Sequence, residues 1–219
     1  MIKICGLSRP EDIDAVNRAL PDYIGFVFAP SRRRVDIETA AALKKRLDAR
    51  INTVGVFVNE SVDTVVELFH NGVIDLAQLH GDEDAGYIRR LKNACGCKII
   101  KAIGIDSSLN SLPPQLQRRQ ASVASMPDYY LFDTVSGNRG GSGEVFDWTI
   151  LKEYRGIPYF LAGGLSARNV AEAIRVISPY CVDVSSGVET DGKKDTVKID
   201  AFVHLVRGIS IDDKMDINR

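Results

Sequence analysis

Histidine is scarce in this chain, with 3 in 219 residues, at positions 70, 80 and 204. The 4 cysteines are as unpromising for metal: only Cys95 and Cys97 lie close together, and no histidine or third cysteine stands beside them at zinc-site spacing. We therefore expect no metal site, and read Cys95 and Cys97 as ordinary thiols at a helix-to-strand turn. Long apolar runs are missing too. Nothing approaches the ~18 consecutive apolar residues of a membrane span, and the N-terminus lacks a basic segment followed by an apolar stretch. That predicts a cytoplasmic protein without a membrane partner. Nor is there an excess of either charge: 28 Lys and Arg against 29 Asp and Glu give a formal net charge of −1 and no basic footprint for nucleic acid. Small molecules are the expected partners.

What the chain does have is alternation. Eight β-rich runs recur: "IKIC", "YIGFVF", "NTVGVFV", "DLAQL", "KIIKAIG", "YYLFD", "PYFLA" and "VDVSS". Between them lie helical patterns such as Ile37, Ala41, Leu43 and Leu47, or Val62, Val65, Val66 and Phe69. Ser61, Ser166 and Asp36 suit helix N-caps. Several strands are apolar on both faces, as buried parallel strands are. Eight β/α units in this length predict an α/β fold, a single (β/α)8 TIM barrel of the phosphate-binding type, in preference to a very wide open sheet. The barrel is expected over residues 1–207. Residues 208–219, from Gly208 onward, lack periodicity and read as a C-terminal extension or frayed tail. Pro113 and Pro114 delay the fifth helix to about Pro114, and the sixth, "DWTILKEY", is short.

Barrel chemistry gathers at the C-terminal ends of the strands. Here those ends carry Cys5-Gly6, "APSRRR", His80-Gly81, Asp133-Thr134, Gly163-Gly164 and Ser185-Ser186-Gly187. Glycine lets backbone N–H groups approach a phosphate closely, and the loops "GGSGEVF", "LAGGLSARNV" and "DVSSGVE" offer such backbone at adjacent strand ends. Cys5 and Asp133, on strands one and six, would face each other across the mouth as an acid/base pair. Of Arg32, Arg33 and Arg34, two read as a solvated run, and one turned inward would grip a carboxylate bidentately. His80 reads equally as a ligand wall or a hydrogen-bonded strand-end histidine.

In order along the chain, "KICGL", "GFVFAPSRRRV", "VGVFVN", "QLHG", "LFDT", "GGSGEVFDW", "LAGGLSARNV" and "VDVSSGVE" closely resemble the phosphoribosylanthranilate isomerase family of tryptophan biosynthesis. The resemblance implies an isomerase that performs the Amadori rearrangement of N-(5-phosphoribosyl)anthranilate without cofactor, on a soluble phosphorylated substrate, as a monomer or homodimer. It implies Asp133 as general acid and Cys5 as general base. Arg34 would hold the anthranilate carboxylate, with a one-residue slip in the arginine triplet left open. His80 is carried as a substrate-wall residue, and Asp183 would bind a ribose hydroxyl. Phosphate would rest against Gly141, Ser142, Gly143, Gly163, Gly164, Ser186 and Gly187. Arg139 lies in the loop after strand six, but no role is assigned to it. The rival readings are the sister isomerase of histidine biosynthesis, whose base at this position is an aspartate where this chain has Cys5, and a non-catalytic barrel that binds a phosphometabolite.

Overall fold

All eight expected strands form and close on one another in sequence order: β1 (Ile2–Cys5), β2 (Tyr23–Val27), β3 (Asn52–Phe57), β4 (Leu76–Leu79), β5 (Lys98–Asp106), β6 (Tyr129–Val135), β7 (Tyr159–Leu161) and β8 (Cys181–Val184). Every barrel pairing is parallel, and β1 pairs with both β2 and β8, which completes the ring. The computed structural model describes residues 1–106, 108, 109, 111, 112, 116, 125–135 and 146–216.

Side chains alternate across each strand between two apolar environments. Ile2, Ile4, Ile24, Phe26, Val182 and Val184 point outward into the layer between strands and helices. Tyr23, Val54, Leu76, Ile100, Leu131, Phe160 and Cys181 point inward and fill the lower barrel. Each fully buried side chain of this size contributes about 1.5–3 kcal/mol, so the two layers together hold the ring.

The α-helices described in full are α1 (Pro10–Ala19), α2 (Ile37–Lys44), α3 (Val62–His70), α4 (Ala85–Cys95), α5 (Val170–Ile177) and α6 (Thr196–Asp216). Asp36 and Ser61 cap α2 and α3 as expected, accepting the Thr39 and Thr64 backbone N–H groups at 2.8 and 3.1 Å. Ser166 does not cap α5. Its hydroxyl accepts from Arg168 N–H inside a preceding turn, and the helix starts four residues later behind Asn169. The sixth unit keeps only a short 3-10 helix, Trp148–Leu151. Most of the segment expected to form the fifth helix lies outside the described residues.

Residues 208–216, expected as an extension or frayed tail, are helical. Helix α6 runs from Thr196 to Asp216, and Phe202, Val203, Val206 and Ile209 carry one buried face across the 207/208 boundary. That packing outweighs the cost of about 1 kcal/mol that glycine brings to a helix. Among the described residues, no helix is long and apolar enough to cross a membrane.

Candidate active site

Strand β1 places Lys3 and Cys5 on the same inward face, two residues apart. Lys3 is fully buried, and its ammonium meets Asp183 Oδ2 of β8 at 2.6 Å. The register explains the contact, since Lys3 lies directly opposite Asp183. Cys5 lies opposite Gly25 of β2, and a Cβ at Gly25 would stand 2.7 Å from the Cys5 sulfur. Glycine there makes room for the thiol. Beyond it, Gly6 has φ +82°, a left-handed turn that takes the chain away from the mouth.

Burial pushes the half-buried Cys5 thiol above its ordinary value, while the Lys3 and Lys194 ammonium groups favour the thiolate and Asp183 opposes it. Burial also pushes the Asp183 carboxyl up, against the pull of Lys3. Asp183 Oδ1 is buried with no hydrogen-bond partner among the described residues, which leaves an acceptor for a ligand hydroxyl.

Asp133 lies on the inward face of β6, across the ring from Cys5. His80, at the end of β4, brings Nε2 within 3.5 Å of Asp133 Oδ2, and both side chains are half-exposed. Beneath His80, Gln78 is buried and places its amide nitrogen 3.0 Å from His80 Nδ1. Asp133 and His80 both act electrostatically on Asp183, and Asp183 acts on Cys5. The structure therefore gathers Cys5, Asp133, His80 and Asp183 into one polar layer at the C-terminal mouth.

The glycine loops lie beside it. Gly163 and Gly164 have φ +84° and +64°. A Cβ at Gly163 would collide with Thr134, and one at Gly187 with the Leu165 carbonyl, so the β7 loop lies backbone to backbone against the end of strand β6 on one side and the β8 loop on the other. Asn169 fixes the β7 loop, accepting Ser166 N–H at 2.9 Å and donating to the Gly164 carbonyl at 3.0 Å. Ser186 and Gly187 open a short 3-10 helix, Ser186–Val188. The N–H groups of Gly164 and Ser186 meet no backbone carbonyl among the described residues. Gly141, Ser142, Gly143 and Arg139 lie outside the described residues.

In the arginine triplet the inward residue is Arg33, not Arg34. Arg32 and Arg34 are exposed, as two of the triplet were expected to be; Arg33 is the one drawn inward, but it grips the buried Glu189, which Arg32 also reaches. Arg34 is exposed on the loop after β2, and its guanidinium makes no hydrogen bond or ion pair among the described residues. It remains available to a ligand, but no contact joins it to the polar layer.

Sequence reasoning missed Lys3, Gly25, Gln78, Glu189 and Lys194. For Lys3 a signal existed: a residue two before Cys5 in a strand must share its face. Among the described residues, no group of three or more His, Cys, Asp or Glu could hold a metal ion.

Comparison with known proteins accords with this geometry. The family described as N-(5'phosphoribosyl)anthranilate (PRA) isomerase matches residues 2–205. The N-(5'-phosphoribosyl)anthranilate isomerase of Endomicrobium trichonymphae is 48% identical over 209 residues, covering 95% of this chain and 98% of that protein. The crystal structure of phosphoribosyl anthranilate isomerase from Thermotoga maritima is similar at a TM-score of 0.82 and 35% identity, over 94% of this chain and 98% of that one. A further isomerase structure, in complex with reduced 1-(o-carboxyphenylamino)-1-deoxyribulose 5-phosphate, is similar at a TM-score of 0.76 and 31% identity, over 94% of this chain and 98% of that one. The eight-stranded barrel, the polar layer at its mouth and these matches over nearly the whole length lead to one conclusion: the chain belongs to the N-(5'-phosphoribosyl)anthranilate isomerase family.

Proposed function

We propose that the chain carries out its family's isomerisation, converting N-(5-phosphoribosyl)anthranilate to 1-(o-carboxyphenylamino)-1-deoxyribulose 5-phosphate in tryptophan biosynthesis, with Asp133 as general acid and Cys5 as general base. The observation that supports these roles is the common inward face of Cys5 and Asp133 at one mouth, with the open Asp183 oxygen on the arc between them.

The chemistry balances within substrate and protein. A protonated Asp133 gives its proton to the ribose ring oxygen as the C1–O bond breaks, and the anthranilate nitrogen lone pair forms a protonated Schiff base. The Cys5 thiolate then takes the C2 proton; that C–H pair becomes the C1=C2 bond and the iminium electrons return to nitrogen. The resulting enolamine loses its C2 hydroxyl proton and gains one at C1. Carbon 1 is thereby reduced and carbon 2 oxidised, with no outside electron acceptor.

Arg34 grips the anthranilate carboxylate, Asp183 accepts from a ribose hydroxyl, and His80 steadies Asp133. The phosphate rests on the backbone of Gly163, Gly164, Ser186 and Gly187, with Gly141, Ser142 and Gly143 completing the cradle. On this reading the substrate is a soluble phosphorylated metabolite, no cofactor takes part, and the protein acts in the cytoplasm as a monomer or homodimer.

The test is turnover by purified, chelator-treated protein, with the two-phosphate substrate of the histidine-pathway isomerase in parallel. Turnover of the first alone is expected, and no turnover of either overturns the reading. Cys5→Ala and Asp133→Asn should each lower kcat by about 10²–10⁴-fold while leaving product-analogue affinity near wild type. A variant with near-normal kcat would strip that residue of its role. Because burial holds the Cys5 thiol above its ordinary 9.0, kcat/KM should climb with pH on the alkaline side as thiolate forms.

A further inference from the structure

Glu189 follows directly behind the Ser186–Gly187 turn and opens a small antiparallel pair, β9 (Glu189–Thr190) with β10 (Lys193–Lys194). It is a buried carboxylate that meets three cations from two loops. Arg33 forks onto it at 2.6 and 2.9 Å, Arg32 adds a bond at 2.9 Å, and Lys194 reaches it at 2.7 Å. Lys194 extends the link inward, donating to the Ser185 carbonyl at 2.9 Å and hydroxyl at 3.2 Å. Ser185 Oγ in turn donates to the Cys5 carbonyl at 2.9 Å. One carboxylate thus joins the residue before Arg34 to the strand end that carries Cys5, with the Ser186–Gly187 turn enclosed between them.

We infer that Glu189 is a positioning residue for both ends of the substrate, fixing the arginine loop that presents Arg34 to the carboxylate and the β8 loop that receives the phosphate. The inference rests on the isomerase reading above. Among the described residues, its side-chain ties reach only the mouth: the arginines of the β2 loop and the lysine beneath the β8 loop. Three cations against one carboxylate also leave a local positive excess, which a phosphate at the adjoining turn complements. Forked guanidinium bonds to a buried carboxylate hold a loop in one geometry, where an exposed pair would not.

Glu189→Gln keeps the shape and removes the charge. KM for N-(5-phosphoribosyl)anthranilate and Kd for the reduced product analogue should both rise about tenfold, with kcat within about threefold of wild type, since neither Cys5 nor Asp133 is replaced. A role confined to folding would lower the melting temperature and leave KM and Kd where they are, and that result overturns the proposal. So does a fall in kcat at constant KM. If Glu189→Gln does not fold, Arg33→Gln cuts the same link from the other side, and a smaller rise in the same two constants is expected; unchanged constants overturn the proposal equally. Wild-type protein that turns over no substrate would instead defeat the isomerase reading, a separate outcome.

Discussion

The two ends of the barrel interior are built on the same strands and differ in everything else. At the N-terminal end Tyr23, Tyr129 and Tyr180 surround Phe160, with ring centroids 5.5 to 5.9 Å from it, and close the ring with a plug of aromatic rings. At the C-terminal end the same inward faces carry Lys3, Cys5, Gln78, His80, Asp133 and Asp183. Two residues along β4, β6 or β8 turn Leu76 into Gln78, Leu131 into Asp133 and Cys181 into Asp183. Each two-residue step is about 6.6 Å. Stability and chemistry are therefore separated along the strand axis, which lets each be altered without the other.

Phe160→Ala is the largest expected blow to the plug. Phe160 is fully buried between tyrosines, so its loss should cost about 3–5 kcal/mol in denaturant unfolding. KM and kcat measured where the variant is still folded should stay near wild type, and a shifted KM would break the separation drawn here.

Glu83 tests the rim. It is buried and accepts Asn59 N–H at 2.7 Å, Gly81 N–H at 2.9 Å and the Lys101 ammonium at 2.8 Å, tying together the loops after β3 and β4 and strand β5. Glu83→Gln should cost about 2 kcal/mol at neutral pH. Burial alone would raise the Glu83 carboxyl, but these bonds outweigh it and hold the group below its ordinary 4.5. Its stabilisation is then complete above pH 4.5 and lost as the pH falls through the lowered value. The gap between wild type and variant in unfolding free energy should narrow across that acid range, and a constant gap would deny the carboxylate this role.

The smallest effect belongs to Gly25→Ala. The new methyl would press on the Cys5 sulfur and push it off its position, so kcat should fall about tenfold with KM little changed. An unaffected kcat would mean that the thiol tolerates displacement.

Much of this was legible in the sequence because β-branched strands, turn glycines and the caps Asp36 and Ser61 all agree with one barrel. Cys5 and Asp133 stood out as candidates because the strand ends were legible, whereas Asp183 was reached only through the family resemblance. Lys3 was missed because a lysine between isoleucines imitates the solvent-facing position of an alternating strand, whereas in the upper barrel the polar face is the inside. Which of the three arginines turns inward could not be read locally, because the partner of Arg33 and Arg32 lies more than 150 residues away at Glu189. Ser166 and Asn169 are both good caps, and only the geometry of the preceding turn chooses between them.

The Lys3–Asp183 pair bridges the first strand of the barrel and its last, 180 residues apart. During synthesis the ammonium of Lys3 is made early and its counter-charge almost at the end, so any chain interrupted before β8 would have to bury a lone cation in order to close. An unpaired buried ammonium is costly, so the same pair that adjoins the Cys5 thiol makes closure of the ring depend on the arrival of β8.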